Sequence, residues 1–145
     1  MDAHAYKVAV EWKAGRLGVL SSFDLPSEKN IEVVTPPQFP QGIADVWSPE
    51  HLFTAAVVSC FMTTFLSIAE NSKLTFTHFS CDAKGVLATD GGKLKMTEII
   101  LQPSIGIEDD TLKEKVFRVL QKSEAACLIS NSINSKVILE NPLYV

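Results

Sequence analysis

Positive charge is scarce and scattered in this sequence: 13 Lys and Arg stand against 17 Asp and Glu, for a formal net charge of -4. Phosphate backbones are held by clustered cations, and no cluster exists. Lys93 and Lys95 alternate along one segment, while Lys113, Lys115 and Lys122 share a helical stretch with acids. Nucleic acid is therefore not an expected partner. Histidine is sparse too: His4, His51 and His78 share no metal-ligand spacing with the cysteines, and no C-x-x-C occurs. No histidine stands in a context that would pair it with a cysteine as a protease requires. No metal or cofactor is expected. Repeats and low-complexity tracts are also missing, so residues 1–145 read as one domain, long enough to bury a core without disulfides or a structural metal. Residues 1–12 lack the apolar core of a signal peptide, and a cytoplasmic location is the expectation.

Long apolar runs are limited to one. Residues 52–69 pass without a charge, at the lower edge of membrane-spanning length. The run carries five hydroxyls (Thr54, Ser59, Thr63, Thr64 and Ser67), and amphipathic segments surround it. It reads as a buried central helix with no membrane as partner. A helix apolar all round must be covered on several sides, which is hard for one small sheet. A partner subunit is therefore expected.

The remaining pattern is α+β. Tyr6, Val8, Val10 and Trp12 alternate with Lys7, Ala9, Glu11 and Lys13, predicting a half-buried strand. Ala14-Gly15-Arg16-Leu17-Gly18 is a glycine-flanked turn, residues 19–24 return as a strand, and 31–34 form a short third. Residues 35–47, with Pro36, Pro37, Pro40 and Gly42, form a long loop of the kind that tends to be functional or to cover something. Ser48-Pro49-Glu50 opens the first helix, with Ser48 as N-cap and an acid in the first turn; it runs to about residue 70. Residues 75–88 alternate, with Phe79, Cys81, Ala83 and Leu87 on one face. Asp90-Gly91-Gly92 signals a hairpin returning over 93–102. A second helix begins near Asp109-Asp110-Thr111 and carries an apolar stripe from Leu112 to Cys127; 136–139 is the last strand. The order is β-β-β-α-β-β-α-β, with hairpins instead of parallel crossovers.

Each candidate for chemistry has an ordinary structural reading. Cys60 sits mid-helix in an apolar run, and a free cysteine there is commonly a small core hydrophobe. Ten residues into the helix it gains almost nothing from the macrodipole, so a thiolate would need an external cation. Cys81 lies on an apolar strand face and reads as core. Cys127 closes an apolar stripe, where the helix C-terminus opposes a thiolate; that suits a resolving thiol better than an attacking one. Arg16 alone would be a surface-turn residue, and Glu50 a first-turn dipole partner.

Taken together, three blocks carry more. The turn Ala14-Gly15-Arg16-Leu17-Gly18, the run Ser48-Pro49-Glu50-His51-Leu52-Phe53 continuing to Ser59-Cys60-Phe61, and Ala125-Ala126-Cys127-Leu128-Ile129-Ser130-Asn131-Ser132-Ile133 resemble, in that order, the motifs of the OsmC/Ohr family, the osmotically inducible and organic-hydroperoxide-resistance proteins. The resemblance spans nearly the whole chain. Leu128 stands where many members have proline, and Leu17 where an acid is common. The resemblance implies an α+β fold of antiparallel sheets and two main helices, built into an intertwined homodimer with sites at the subunit interface. It also implies a thiol-dependent peroxidase without a cofactor: Cys60 attacks the peroxide, Cys127 resolves as a Cys60–Cys127 disulfide, Arg16 and Glu50 organise the site, and an external thiol or dithiol reduces the product.

The chemistry of these residue types agrees. Peroxide cleavage needs a thiolate. A guanidinium lowers a thiol pKa, stays charged, and can hold a carboxylate such as Glu50 while facing the sulfur. Phe39, Phe53, Phe61 and Trp47 are candidates for an apolar approach favouring organic hydroperoxides over hydrogen peroxide. Glu50 and Cys60 are ten residues apart, about 15 Å along a helix, so an Arg16 that serves both implies a group from a second subunit. The alternative expectation is a non-catalytic OsmC-like dimer that binds or senses a small hydrophobic ligand, its cysteines inert.

Overall fold

The computed structural model describes all 145 residues, Met1–Val145. Their contacts divide the chain into two units, Met1–Leu52 and Phe53–Val145.

The first unit is an antiparallel sheet of β1 (Val8–Ala14), β2 (Leu17–Ser22) and β3 (Ile31–Val34), in that spatial order. Gly15 turns the chain with φ 55°, a left-handed conformation that glycine adopts without steric cost. Trp12 Nε1–H donates to the Gly15 carbonyl at 3.0 Å and fixes the turn that presents Arg16. The alternation of β1 does not produce a half-buried strand. Val8, Val10 and Trp12 are 70%, 66% and 73% exposed, because this unit is a single sheet with no second layer of its own on that face.

The 35–47 loop is tied to its own ends. Ile43 N–H donates to the Thr35 carbonyl at 3.1 Å, Val34 N–H donates to the Trp47 carbonyl at 2.9 Å, and Val33 bridges Trp47 in parallel. Gly42 lies against the Pro36 carbonyl, where a side chain would clash. This closure delivers Ser48 to the start of α1 (Pro49–Asn71). Ser48 is the expected N-cap: His51 N–H donates to Ser48 Oγ at 3.2 Å, and that hydroxyl also meets His51 Nδ1 at 2.7 Å.

In the second unit, β4 (His78–Asp90) and β5 (Lys93–Gly106) form the long antiparallel hairpin. Its turn has Gly91 and Gly92 at φ 58° and 78°, the paired positive values of a type I′ turn. A Asp109-capped 3-10 turn, Asp110–Leu112, leads into α2 (Lys113–Ala126). The chain then returns as β6 (Lys136–Leu139) and β7 (Leu143–Tyr144), both parallel to β5. These parallel pairings depart from the hairpin-only expectation. Fourteen residues of α2 carry the chain back across the sheet, so β6 can enter in the direction of β5. The alternation of β4 holds through Gly85 and lapses at a register shift after Val86, leaving Leu87 38% exposed.

The core of this unit joins one face of α1 (Val57, Phe61, Phe65, Ala69) to Ile99, Leu101 and Ile105 of β5 and Val116, Val119 and Leu120 of α2. Phe65 stacks on Phe79 at 4.6 Å between ring centroids and meets Phe76 edge-on at 5.3 Å. Each large side chain buried here contributes about 1.5–3 kcal/mol. Gly85 has no room for a side chain beside Thr54 and Met96, so α1 lies close on the hairpin there. The opposite stripe of α1 stays open: Met62 and Leu66 are 40% and 41% exposed. By length and composition α1 could cross a membrane, yet four of its side chains make the core of this unit.

Candidate functional site: two thiols between α1 and the end of α2

Cys60 occupies the flank of α1 between core residues Val57 and Phe61, half-buried. Thr64, one turn further on, brings its Oγ1 to 3.9 Å from Cys60 Sγ. Cys127 stands immediately after α2, not on its last turn as the sequence suggested. Its backbone is extended (φ -65°, ψ 110°), and its N–H donates to the Glu124 carbonyl at 3.2 Å. The turn that follows is fastened on both sides: Asn131 N–H donates to the Cys127 carbonyl at 3.0 Å, and Asn131 Nδ2 donates to the Ala125 carbonyl at 3.1 Å. Those bonds satisfy carbonyls that a helix end leaves open. The fully buried Cys127 thiol then reaches the Val57 carbonyl of α1 at 4.0 Å.

This docking makes the two thiols neighbours, each moving the other's pKa. Their pKa values move apart. Burial pushes Cys60 up, but hydrogen bonds from the Ile129 N–H, the Cys127 thiol, the Thr64 hydroxyl and the Leu128 N–H outweigh it and hold Cys60 below the ordinary thiol value. Burial also pushes Cys127 up; the Ser130 hydroxyl and amide oppose it, the adjacent Cys60 reinforces it, and the outcome is upward. Of the two thiols, Cys60 is therefore the one that ionises first as pH rises. Cys81, on the inner face of β4, is pushed to about 12 chiefly by burial, with Asp82 adding to it and the Gln102 backbone opposing it. It is a core thiol.

Arg16 and Glu50 both belong to the first unit. Arg16 lines a groove of about 350 Å³ with Trp12, Leu17, Val34 and Pro49, and Glu50 follows Pro49 with one carboxylate oxygen buried. The continuous helix keeps Glu50 about 15 Å from Cys60 along its axis. Of the aromatic candidates, Phe61 is corrected: it is fully buried in the core and lines no approach. Phe53 does line an open groove of about 520 Å³, with Met96, Ser132 and Ile133 among its walls. No three His, Cys, Asp or Glu side chains gather as a metal site would need. The sequence reading missed Thr64 and the backbone of Leu128 and Ile129. Thr64 was visible in principle, four residues after Cys60 on a helix; backbone donors have no sequence signature.

The sequence model of the OsmC-like protein family matches residues 42–140. The chain belongs to this family. It is 23% identical over 145 residues to the uncharacterized protein YmaD of Bacillus subtilis, covering 97% of this chain and 93% of YmaD. An OsmC-like protein of unknown function from Vibrio cholerae superposes with a TM-score of 0.84 at 23% identity, covering 99% of this chain and all of the other. An organic hydroperoxide resistance protein from Legionella pneumophila superposes with a TM-score of 0.78 at 19% identity over the full length of both chains. At such identities the superpositions speak to fold, and the α+β fold with two main helices is that of the OsmC and organic hydroperoxide resistance structures.

Proposed function

We propose that this chain is a two-cysteine peroxidase that reduces organic hydroperoxides, and hydrogen peroxide less well. The observation that carries the reading is the docking of the Cys127 thiol on the Val57 carbonyl, three residues before Cys60 on α1, with the pKa values of the two thiols displaced in opposite directions. The family's organic hydroperoxide resistance proteins support the substrate class.

In the first step Cys60 thiolate attacks one peroxide oxygen and the O–O bond breaks. Cys60 becomes a sulfenic acid, and the other oxygen leaves as an alcohol after taking a proton. Cys127 then attacks the sulfenic sulfur, forming the Cys60–Cys127 disulfide and releasing water. An external thiol or dithiol supplies the two electrons that restore both thiols. The raised pKa of Cys127 suits this order, because it keeps the second thiol from competing for the peroxide.

Arg16 and Glu50 act at the peroxide end. The guanidinium donates to the peroxide oxygens as charge develops on the leaving one, and Glu50 fixes its orientation. With Glu50 about 15 Å along the helix from Cys60, the shared Arg16 is assigned to a homodimer in which one subunit completes the other's site. The open apolar faces of β1 and α1 support such a partner. Thiol-dependent consumption of an alkyl hydroperoxide tests the reading: wild type turns over, Cys60→Ser does not, and equal rates for the two proteins would refute it.

A further inference from the structure

We propose that the groove between the start of α2 and the C-terminal segment binds a small aromatic monocarboxylate, with Arg118 taking the carboxylate and the Phe117 and Tyr144 rings taking the aromatic body. The inference goes beyond the peroxidase reading and does not depend on it. The 14 residues of α2, about 21 Å of helix, separate Lys113 in the groove from the Cys127 thiol.

The groove has a volume of about 560 Å³, within the range of small-molecule sites. Its apolar wall joins Phe117, Pro142 and Tyr144. Phe117 falls beside the buried stripe of α2 (Val116, Val119, Leu120 and Ser123) and is 38% exposed. The facing segment is pinned to the sheet. Tyr144 pairs with Ile105 of β5, its hydroxyl donates to the Lys113 carbonyl at 3.3 Å, and the Val145 N–H donates to the Ile105 carbonyl at 3.0 Å. Asn141 is held as well, because Gln102 Nε2 donates to its carbonyl at 2.7 Å. A preformed wall lowers the ordering cost of binding.

Charge selects the ligand. Lys113, Arg118 and Glu114 border the groove, for a net charge of about one positive. Lys113 is already engaged: its ammonium lies 4.9 Å from the Tyr144 ring centroid and 3.8 Å from Asp110 Oδ1. Arg118 makes no ion pair within the chain, even with Glu114 one turn before it. Its planar fork matches a carboxylate through two parallel hydrogen bonds. Glu114 repels a second negative charge, which favours a monoanion over a phosphate or a dicarboxylate. The two rings favour a planar body, in stacked or edge-on contact.

The probe is 2-naphthoate, titrated into the isotope-labelled full chain and read from backbone amide chemical shifts. Saturable shifts should gather at Phe117, Arg118, Asn141 and Tyr144. Arg118→Gln should weaken binding about tenfold or more, the usual loss for a hydrogen bond to a charged group. The neutral 2-naphthalenemethanol keeps the rings without the charge and should bind wild type as weakly as naphthoate binds the variant. The proposal is overturned by shifts that do not saturate, or by saturable shifts centred on the open faces of β1 or α1 instead. It is equally overturned if Arg118→Gln binds naphthoate as tightly as wild type, or if the alcohol binds as tightly as the acid. Arg118 is exposed, so its variant should keep the fold; should it fail to, the alcohol against the acid on wild type decides.

Discussion

Cys127, 67 positions after Cys60 in the chain, docks its thiol on the Val57 carbonyl three residues before Cys60, and the two thiols move each other's pKa, Cys60 down and Cys127 up. The asymmetry comes from the surroundings. Cys60 receives donors from α1 and from the turn after α2, whereas Cys127 is sealed in the core.

The three thiols should therefore react in a fixed order as pH rises. Iodoacetamide should label Cys60 first, Cys127 at higher pH, and Cys81 last, near its value of about 12. Peptide mass mapping across pH reads the order, and early labelling of Cys81 would contradict it. The sign for stability follows. Cys81 is raised in the folded state, so its contribution is complete below the ordinary value of 9.0 and is lost as pH climbs through about 12.

Arg16 sits in an exposed turn whose geometry is set by Gly15 and Trp12. Arg16→Ala should leave far-UV circular dichroism unchanged and lower the rate of hydroperoxide consumption by about 10²–10³-fold, the loss usual for one transition-state donor. Arg16→Lys should recover only part of it, because a lysine lacks the planar fork. An Arg16→Ala rate equal to wild type would remove this residue from the mechanism.

Phe65 is a stability residue with no chemical role. Its removal empties a site between Phe76 and Phe79, and Phe65→Ala should cost about 3–5 kcal/mol in urea unfolding. A change under about 1 kcal/mol would mean that the α1 core is packed differently, since such small losses belong to surface positions.

The open stripe of α1 should be an interface. Met62→Glu combined with Leu66→Glu places charge on that face and should turn a dimer into a monomer in analytical ultracentrifugation, with loss of peroxidase activity. A wild-type protein that is monomeric and active at nanomolar concentration would contradict the shared site.

Much of the fold was legible because it is written in local patterns: the Ser48 cap, the Gly91-Gly92 turn and the stripe of α2 all lie where their residues place them. The parallel entry of β6 and the two-residue β7 were not, since strand direction depends on a crossover and two residues carry no period. The exposure of Val8, Val10 and Trp12 was misread because alternation says that a face is apolar, not what covers it. At the site, side-chain types pointed to Cys60 and Cys127. The donors from Leu128 and Ile129 stayed hidden, because a backbone N–H is the same in every residue but proline.

The most direct test of the account is to treat the reduced protein with one equivalent of an alkyl hydroperoxide and map its cysteines by mass spectrometry. The account predicts loss of two thiols and a Cys60–Cys127 disulfide, with Cys127→Ser instead holding Cys60 as the sulfenic acid and adding second and third oxygens there only when excess hydroperoxide is supplied. Both thiols remaining free, with neither a disulfide nor a sulfenic acid at Cys60, would contradict it.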